Sequence, residues 1–149
     1  MISKIFVAIL TLSTSLIAND IIVKESSCSV NKTVKNIKKI VKRKGLSVFA
    51  TINHYGNANM VNMKLNESKM VIFGNPRIGT ALMQQDMKVG LDLPLRVLVY
   101  VDKDKKVKMA YRDASWLAER HILDAPKKVA RINKAMDKMT TRAGICKKD

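Results

Sequence analysis

The sequence predicts an α+β domain: an antiparallel sheet of about five strands packed by helices, in β-α-β(4)-α order. Three observations predict it. The order of periodic segments is strand, helix, several strands, then helices. The strand-like runs are joined by long hairpin-like connections, which favours an antiparallel sheet over a doubly wound parallel one. Nothing in the 149 residues indicates an internal repeat, a linker or a second domain, and a chain of this size is expected to bury roughly two-thirds of its unfolded surface without staples.

The chain begins Met1, Ile2, Ser3, Lys4, followed by an apolar run from Ile5 to Leu12 and small residues at Ser13, Ser15 and Ala18. A charged start, short apolar run and small-residue end describe a secretory signal. Residues 1–18 are therefore expected to be a signal peptide, residues 19–149 the mature domain, and the location periplasmic or secreted. The run is too short, and too soon interrupted by Ser and Thr, to span a bilayer, so no transmembrane anchor is expected after cleavage. A buried N-terminal strand or helix is the alternative.

Ile21, Ile22 and Val23 form a β-branched run closed by Lys24 and Glu25, as a first strand does. A helix follows: Ser29 is a suitable N-cap, Val30, Val34, Ile37 and Val41 keep helical spacing among lysines, and Gly45 stands where a C-terminal glycine belongs. Leu46, Val48, Ala50 and Ile52 alternate with polar positions, and His54 continues their inward parity. Met70 to Phe73 and Leu95 to Val101, the latter entered through Pro94, are apolar strands. Asp102 to Lys106 reads as a hairpin turn leading to Val107, Met109 and Tyr111. Asp113 can cap a short helix through Trp116, Leu117 and Arg120, and a longer helix starts near Pro126 with Val129, Ile132, Met136 and Met139 on one stripe. Both parities of Leu95 to Val101 are apolar, so both sheet faces need cover. Helices cover one, and a second protomer is expected to cover the other, giving a homodimer.

Lys and Arg total 28 against 12 Asp and Glu. Losing residues 1–18 removes only Lys4 and leaves the remainder at about +15. Such a charge favours anionic partners, and in an exported protein with few stacking aromatics it points to anionic lipid, polysaccharide or a small acid, with no nucleic acid. A lysine-rich solvated surface is the plainer explanation, because Lys far outnumbers Arg. Cys28 and Cys146 are the only cysteines. Export makes a disulfide between them plausible, two free thiols remain the alternative, and the spacing excludes C-x-x-C redox chemistry and c-type haem attachment.

The segment Phe73-Gly74-Asn75-Pro76-Arg77-Ile78-Gly79-Thr80-Ala81-Leu82-Met83, followed by Gly90-Leu91-Asp92-Leu93-Pro94-Leu95-Arg96-Val97-Leu98-Val99, is dense in turn residues. With Tyr111, Asp113, the Leu117-Ala118-Glu119-Arg120-His121 stretch and His54, it resembles family 302 of the domains of unknown function, over nearly all of the mature chain. The resemblance implies a small TATA-binding-protein-like α+β fold, in most members dimeric, and no established activity. Met60 and Met63 replace positions that are often small in the family, and the paired cysteines are outside its motif.

Asn75 before Pro76 looks like an N-cap and first helical residue, which turns free backbone N–H groups outward beside Arg77 and Thr80. Such an end can hold an anion, or can simply start a helix between Gly74 and Gly79, which permit tight packing. His54 and His121 are the only histidines, and with Asp92 they could line one pocket. No H-E-x-x-H or three-ligand spacing supports a metal site, no cofactor is implied, and neither a Walker loop nor G-x-G-x-x-G is present. No nucleophile elbow or spaced carboxylate pair supports hydrolase or glycosidase chemistry.

The expected function is an exported binding or accessory protein that holds a small anionic ligand near Asn75, Arg77, Thr80, His54 and Arg120, with Asp92 and His121 in the same candidate set. One alternative is an enzyme with His54 or His121 as general acid or base oriented by Asp92. The other is a copper-binding protein using His54, Met60 and Met63, against which stands methionine's ordinary use as core filler.

Overall fold

Strand and helix signals in the sequence fold into one five-stranded sheet packed by helices, seen in a computed structural model that describes residues 21–146. The expected signal segment 1–18 lies outside the described residues. Strand β1 is Ile22–Ser26 and helix α1 is Val30–Arg43. Ser29 caps α1 by accepting from the Lys32 N–H at 3.2 Å, and Gly45 leaves it at φ +67°, in the left-handed region that favours glycine. Strands β2 (Ser47–Asn53), β3 (Ser68–Gly74), β4 (Leu95–Val101) and β5 (Val107–Tyr111) follow. They pair antiparallel throughout, in the order β1-β5-β4-β3-β2.

That order puts β1 and β2 on opposite edges, so α1 must cross the whole sheet. Four strand spacings of about 4.8 Å make roughly 19 Å, and a helix of 14 residues rises about 21 Å. Its length fits the crossing. Val30, Val34, Ile37 and Val41 are buried against Val71, Phe73, Val97, Val99, Met109 and Tyr111 of the sheet. Helix α5 (Pro126–Ala143) lies beside α1 and adds Met136, Met139 and Ala143 to the same core. The Asp102 carboxylate holds the β4–β5 hairpin by accepting from the N–H groups of Asp104 and Lys106, each at 2.9 Å.

Three shorter helices interrupt or follow the strands: α2 (His54–Met60), α3 (Pro76–Met83) and α4 (Ala114–Arg120), with a 3-10 turn at Met87–Leu91. Asp113 caps α4 through Ser115 and Trp116. Together α3, the 3-10 turn and α4 enclose a second small core of Leu82, Val89, Leu117 and Ala125.

The single inward face expected for Leu46, Val48, Ala50, Ile52 and His54 is corrected. Val48 opposes Phe73 and Ala50 opposes Ile72, so Phe49 is an extra residue in the ladder. A bulge of this kind exchanges the two faces of everything beyond it. Leu46 and Val48 pack on the main core, whereas Ile52 opposes Met70 on the other face. His54 opens α2 and is half-buried. On that outer face Met70, Ile72, Leu98 and Tyr100 are also only half-buried.

Candidate functional site

Long excursions between strands build the site. The chain from Gly74 to Leu95, which carries α3, leaves the sheet at the end where β2 begins and β4 begins. At that end α3 faces α5 across an open cleft of about 900 Å³. One wall is Asn75, Pro76, Gly79, Thr80 and Met83; the other is α5 with Ile132, Ala135, Met136 and Met139. Phe49, Phe73, Leu82 and Leu95 form its floor and sides. The bulge that leaves Phe49 unpaired keeps it 52% exposed in this cleft.

Every charged residue lining the cleft is basic: Lys44 at the C-cap of α1, and Arg131, Lys134, Lys138 and Arg142 on α5. Spacings of three, four and four residues put the α5 group along one side of the helix. None of the five pairs with a carboxylate among the described residues. Sequence reasoning missed this rim, because basic residues at helical spacing also describe an ordinary solvated helix face. A second depression of about 430 Å³ adjoins the cleft, sharing Ile40, Lys44 and Arg142 with it and adding Lys39 and Arg43.

The structure divides the expected site residues among separate places. Asn75 and Thr80 line the cleft. Asn75 caps α3, its side-chain oxygen accepting from the Arg77 N–H at 2.9 Å and the Ile78 N–H at 3.4 Å. Arg77 is exposed outside the lining. A Cβ at Gly79 would meet only Leu93, at 3.9 Å, so tight packing does not require that glycine. His54 sits at the far end of β2, roughly 20 Å from the cleft end at strand rise. Met60 and Met63 are 83% and 65% exposed, and six residues of helix turn Met60 well away from the side that carries His54. Arg120 and Arg112 each stack on the Trp116 ring, with guanidinium carbons 4.8 and 4.7 Å from its centroid.

His121 and Asp92 do meet, Nε2 to Oδ2 at 2.8 Å. The other ring nitrogen, Nδ1, faces Asp86 Oδ2 at 3.4 Å. Asp86 is a residue sequence reasoning did not single out, though its place just before the Met87 turn is an N-cap signal. Its carboxylate accepts from the Lys88 N–H at 2.9 Å and from the Ile122 N–H at 3.4 Å. The Lys88 N–H, first among its neighbours, holds the Asp86 carboxyl below its ordinary pKa, helped by the Ile122 N–H, the Lys88 charge and His121. With both nitrogens facing carboxylates and the side chain 9% exposed, His121 ties the end of α4 to the 3-10 turn, outside the cleft lining. The pair can hold loops together; it does not confront the cleft.

Cys28 and Cys146 are joined, with Cα atoms 5.3 Å apart. Around them the Ser27 N–H donates to the Gly144 carbonyl at 2.8 Å, and Asn36 Nδ2 donates to the Ala143 carbonyl at 3.1 Å. The start of α1 and the end of α5, the two helices behind the basic rim, are thereby fastened to each other.

Residues 22–141 match the family model described as Domain of unknown function DUF302. The chain belongs to this family. A crystal structure of an uncharacterized conserved DUF302 protein from Bacillus stearothermophilus superposes with a TM-score of 0.67 at 16% identity, covering 85% of this chain and 97% of that one. That likeness shows a shared DUF302 fold. The chain is also 37% identical over 116 residues to proteins named fluoride-specific ion channel FluC 1 from Brucella suis biovar 1 and Brucella abortus biovar 1. The match covers 78% of this chain but 46% and 43% of those proteins, so it spans less than half of their length. Among the described residues no helix is long and apolar enough to cross a membrane.

Proposed function

We propose that this DUF302 chain is an exported binding or accessory protein that holds a small anionic ligand in the cleft between α3 and α5. The observation that carries the reading is the rim: five basic side chains, none paired with a carboxylate and no acid in the lining, beside the capped start of α3 at Asn75. Unpaired like charges gathered on one lip repel one another, and an anion relieves that repulsion. The rim takes the place of Arg77, Arg120 and His54 in the expected binding set. Export rests on the character of residues 1–18 and accords with the cysteine bridge. The test is calorimetric titration of the purified protein with acetate, phosphate, sulfate and fluoride, the last because of the relatives' names. Saturable binding that weakens at least tenfold in a variant with all five rim residues, Lys44, Arg131, Lys134, Lys138 and Arg142, changed to Gln is expected. Failure of every anion to bind, or equal binding by the variant, overturns the reading.

The same reading includes a homodimer formed through the outer sheet face, where Leu98 and Tyr100 of β4 lie half-buried beside Met70 and Ile72. Light scattering of the purified protein is expected to give twice the chain mass, and Leu98→Glu to halve it by placing an unpaired charge in the interface. A monomeric wild type removes the dimer.

A further inference from the structure

The rim accounts for a ligand's charge, while most of the cleft surface is apolar and open. Phe49 and Ile78 are exposed in it and Met83, Leu93, Leu95 and Ile132 are half-buried along it, over a base of core residues, and a volume of about 900 Å³ lies in the range of sites that enclose a drug-sized molecule, roughly 300–1,000 Å³. An inorganic anion on the rim would leave this surface wet, and contiguous exposed apolar surface of that kind marks a binding site for apolar matter. The polarity is also ordered. The bases stand on the α1 and α5 side, and at Lys44 and Arg142 the cleft opens into the second depression, where Lys39 and Arg43 add two more positive charges. One ligand shape meets both features: a single apolar chain ending in one anionic head.

We infer that the cleft binds a long-chain fatty acid, its alkyl chain laid over Phe49, Leu95 and Ile132 and its carboxylate held between Lys44 and Arg142. The inference rests on the anion-binding reading above and specifies its ligand. Lys134 and Lys138 lie along the lip, where their methylene stems can cover the chain while their ammonium groups stay in water. Carboxylate recognition at Arg142 is charge-assisted and suits the planar guanidinium.

The experiment is titration of the full chain with hexanoate, decanoate and palmitate, with acetate, and with the alcohol matching decanoate in length. Affinity is expected to rise about fourfold for each methylene added, as burial of a methylene group implies, and the alcohol to bind at least tenfold more weakly than its acid. Lys44→Gln/Arg142→Gln should bring the acid down to the level of the alcohol. Ala135→Trp, a change at an exposed lip position, should abolish the dependence on chain length while the protein keeps its melting temperature. Acetate binding as tightly as palmitate would keep the anion site and overturn the fatty-acid inference. Equal affinity for acid and alcohol overturns the charged-head assignment; binding of no carboxylate of any length overturns the fatty-acid inference, and the anion reading falls with it when phosphate, sulfate and fluoride fail to bind as well.

Discussion

Replacing both Cys28 and Cys146 by serine lowers the melting temperature by about 15 °C. The bridge closes a loop with a sequence separation of 118 residues, and chain-entropy arithmetic for a loop of that length gives about 4 to 5 kcal/mol. Spread over the unfolding entropy of a domain this size, that free energy corresponds to about 15 °C. The effect acts through the unfolded chain, because the folded ends keep other ties: the Ser27 N–H to Gly144, Asn36 to Ala143, and the Cys146 N–H to Ser27 Oγ at 2.8 Å. Those bonds are also why the folded variant should retain its far-ultraviolet circular dichroism. Thermal unfolding followed by that signal, for wild type with and without reductant and for the double variant, decides the matter. Coincident melting curves would mean that the termini add nothing as a covalent link, and that the hydrogen bonds alone hold α5 to α1.

Such end-to-end closure was half legible. Local chemistry is written in neighbouring residues, so Ser29, Gly45, Asn75-Pro76, the Asp102–Lys106 turn and Asp113 all perform the tasks their positions imply. The antiparallel sheet followed from strand-like runs joined by long hairpin-like connections, and the family resemblance pointed to the same fold. What escaped depends on register or on distant packing. Phe49 carries no mark of a bulge, since it is as good a strand residue as its neighbours, yet it reverses the side on which Ile52 lies. The cleft is assembled from α1, α3, α5 and the ends of three strands, which no spacing along the chain brings together. The His121–Asp92 contact was anticipated as a pairing; Asp86, which makes it a three-residue tie rather than a two-residue acid–base couple, was not.

The two phenylalanines beside the cleft should respond oppositely to truncation. Phe73 is on β3 facing α1 and α5 and is 2% exposed. Phe49, the bulge residue, is 52% exposed over the same cleft. Phe73→Ala removes a fully packed ring and leaves a void that its β-branched neighbours Val71 and Val97 cannot fill, a change that typically costs about 3 to 5 kcal/mol. The melting temperature should fall by about 10 to 20 °C. Phe49→Ala removes a ring already half in water, so it should cost about 1 kcal/mol or less and move the midpoint by only a few degrees. Its loss should instead show in ligand affinity, since the ring's free face is surface that an alkyl chain would cover. Denaturant unfolding of both variants, set beside decanoate titration of Phe49→Ala, separates the two roles. A Phe49→Ala protein as unstable as Phe73→Ala would mean that the bulge ring is packed in solution by something outside the single chain. The cleft would then be a covered surface, closed to a fatty acid.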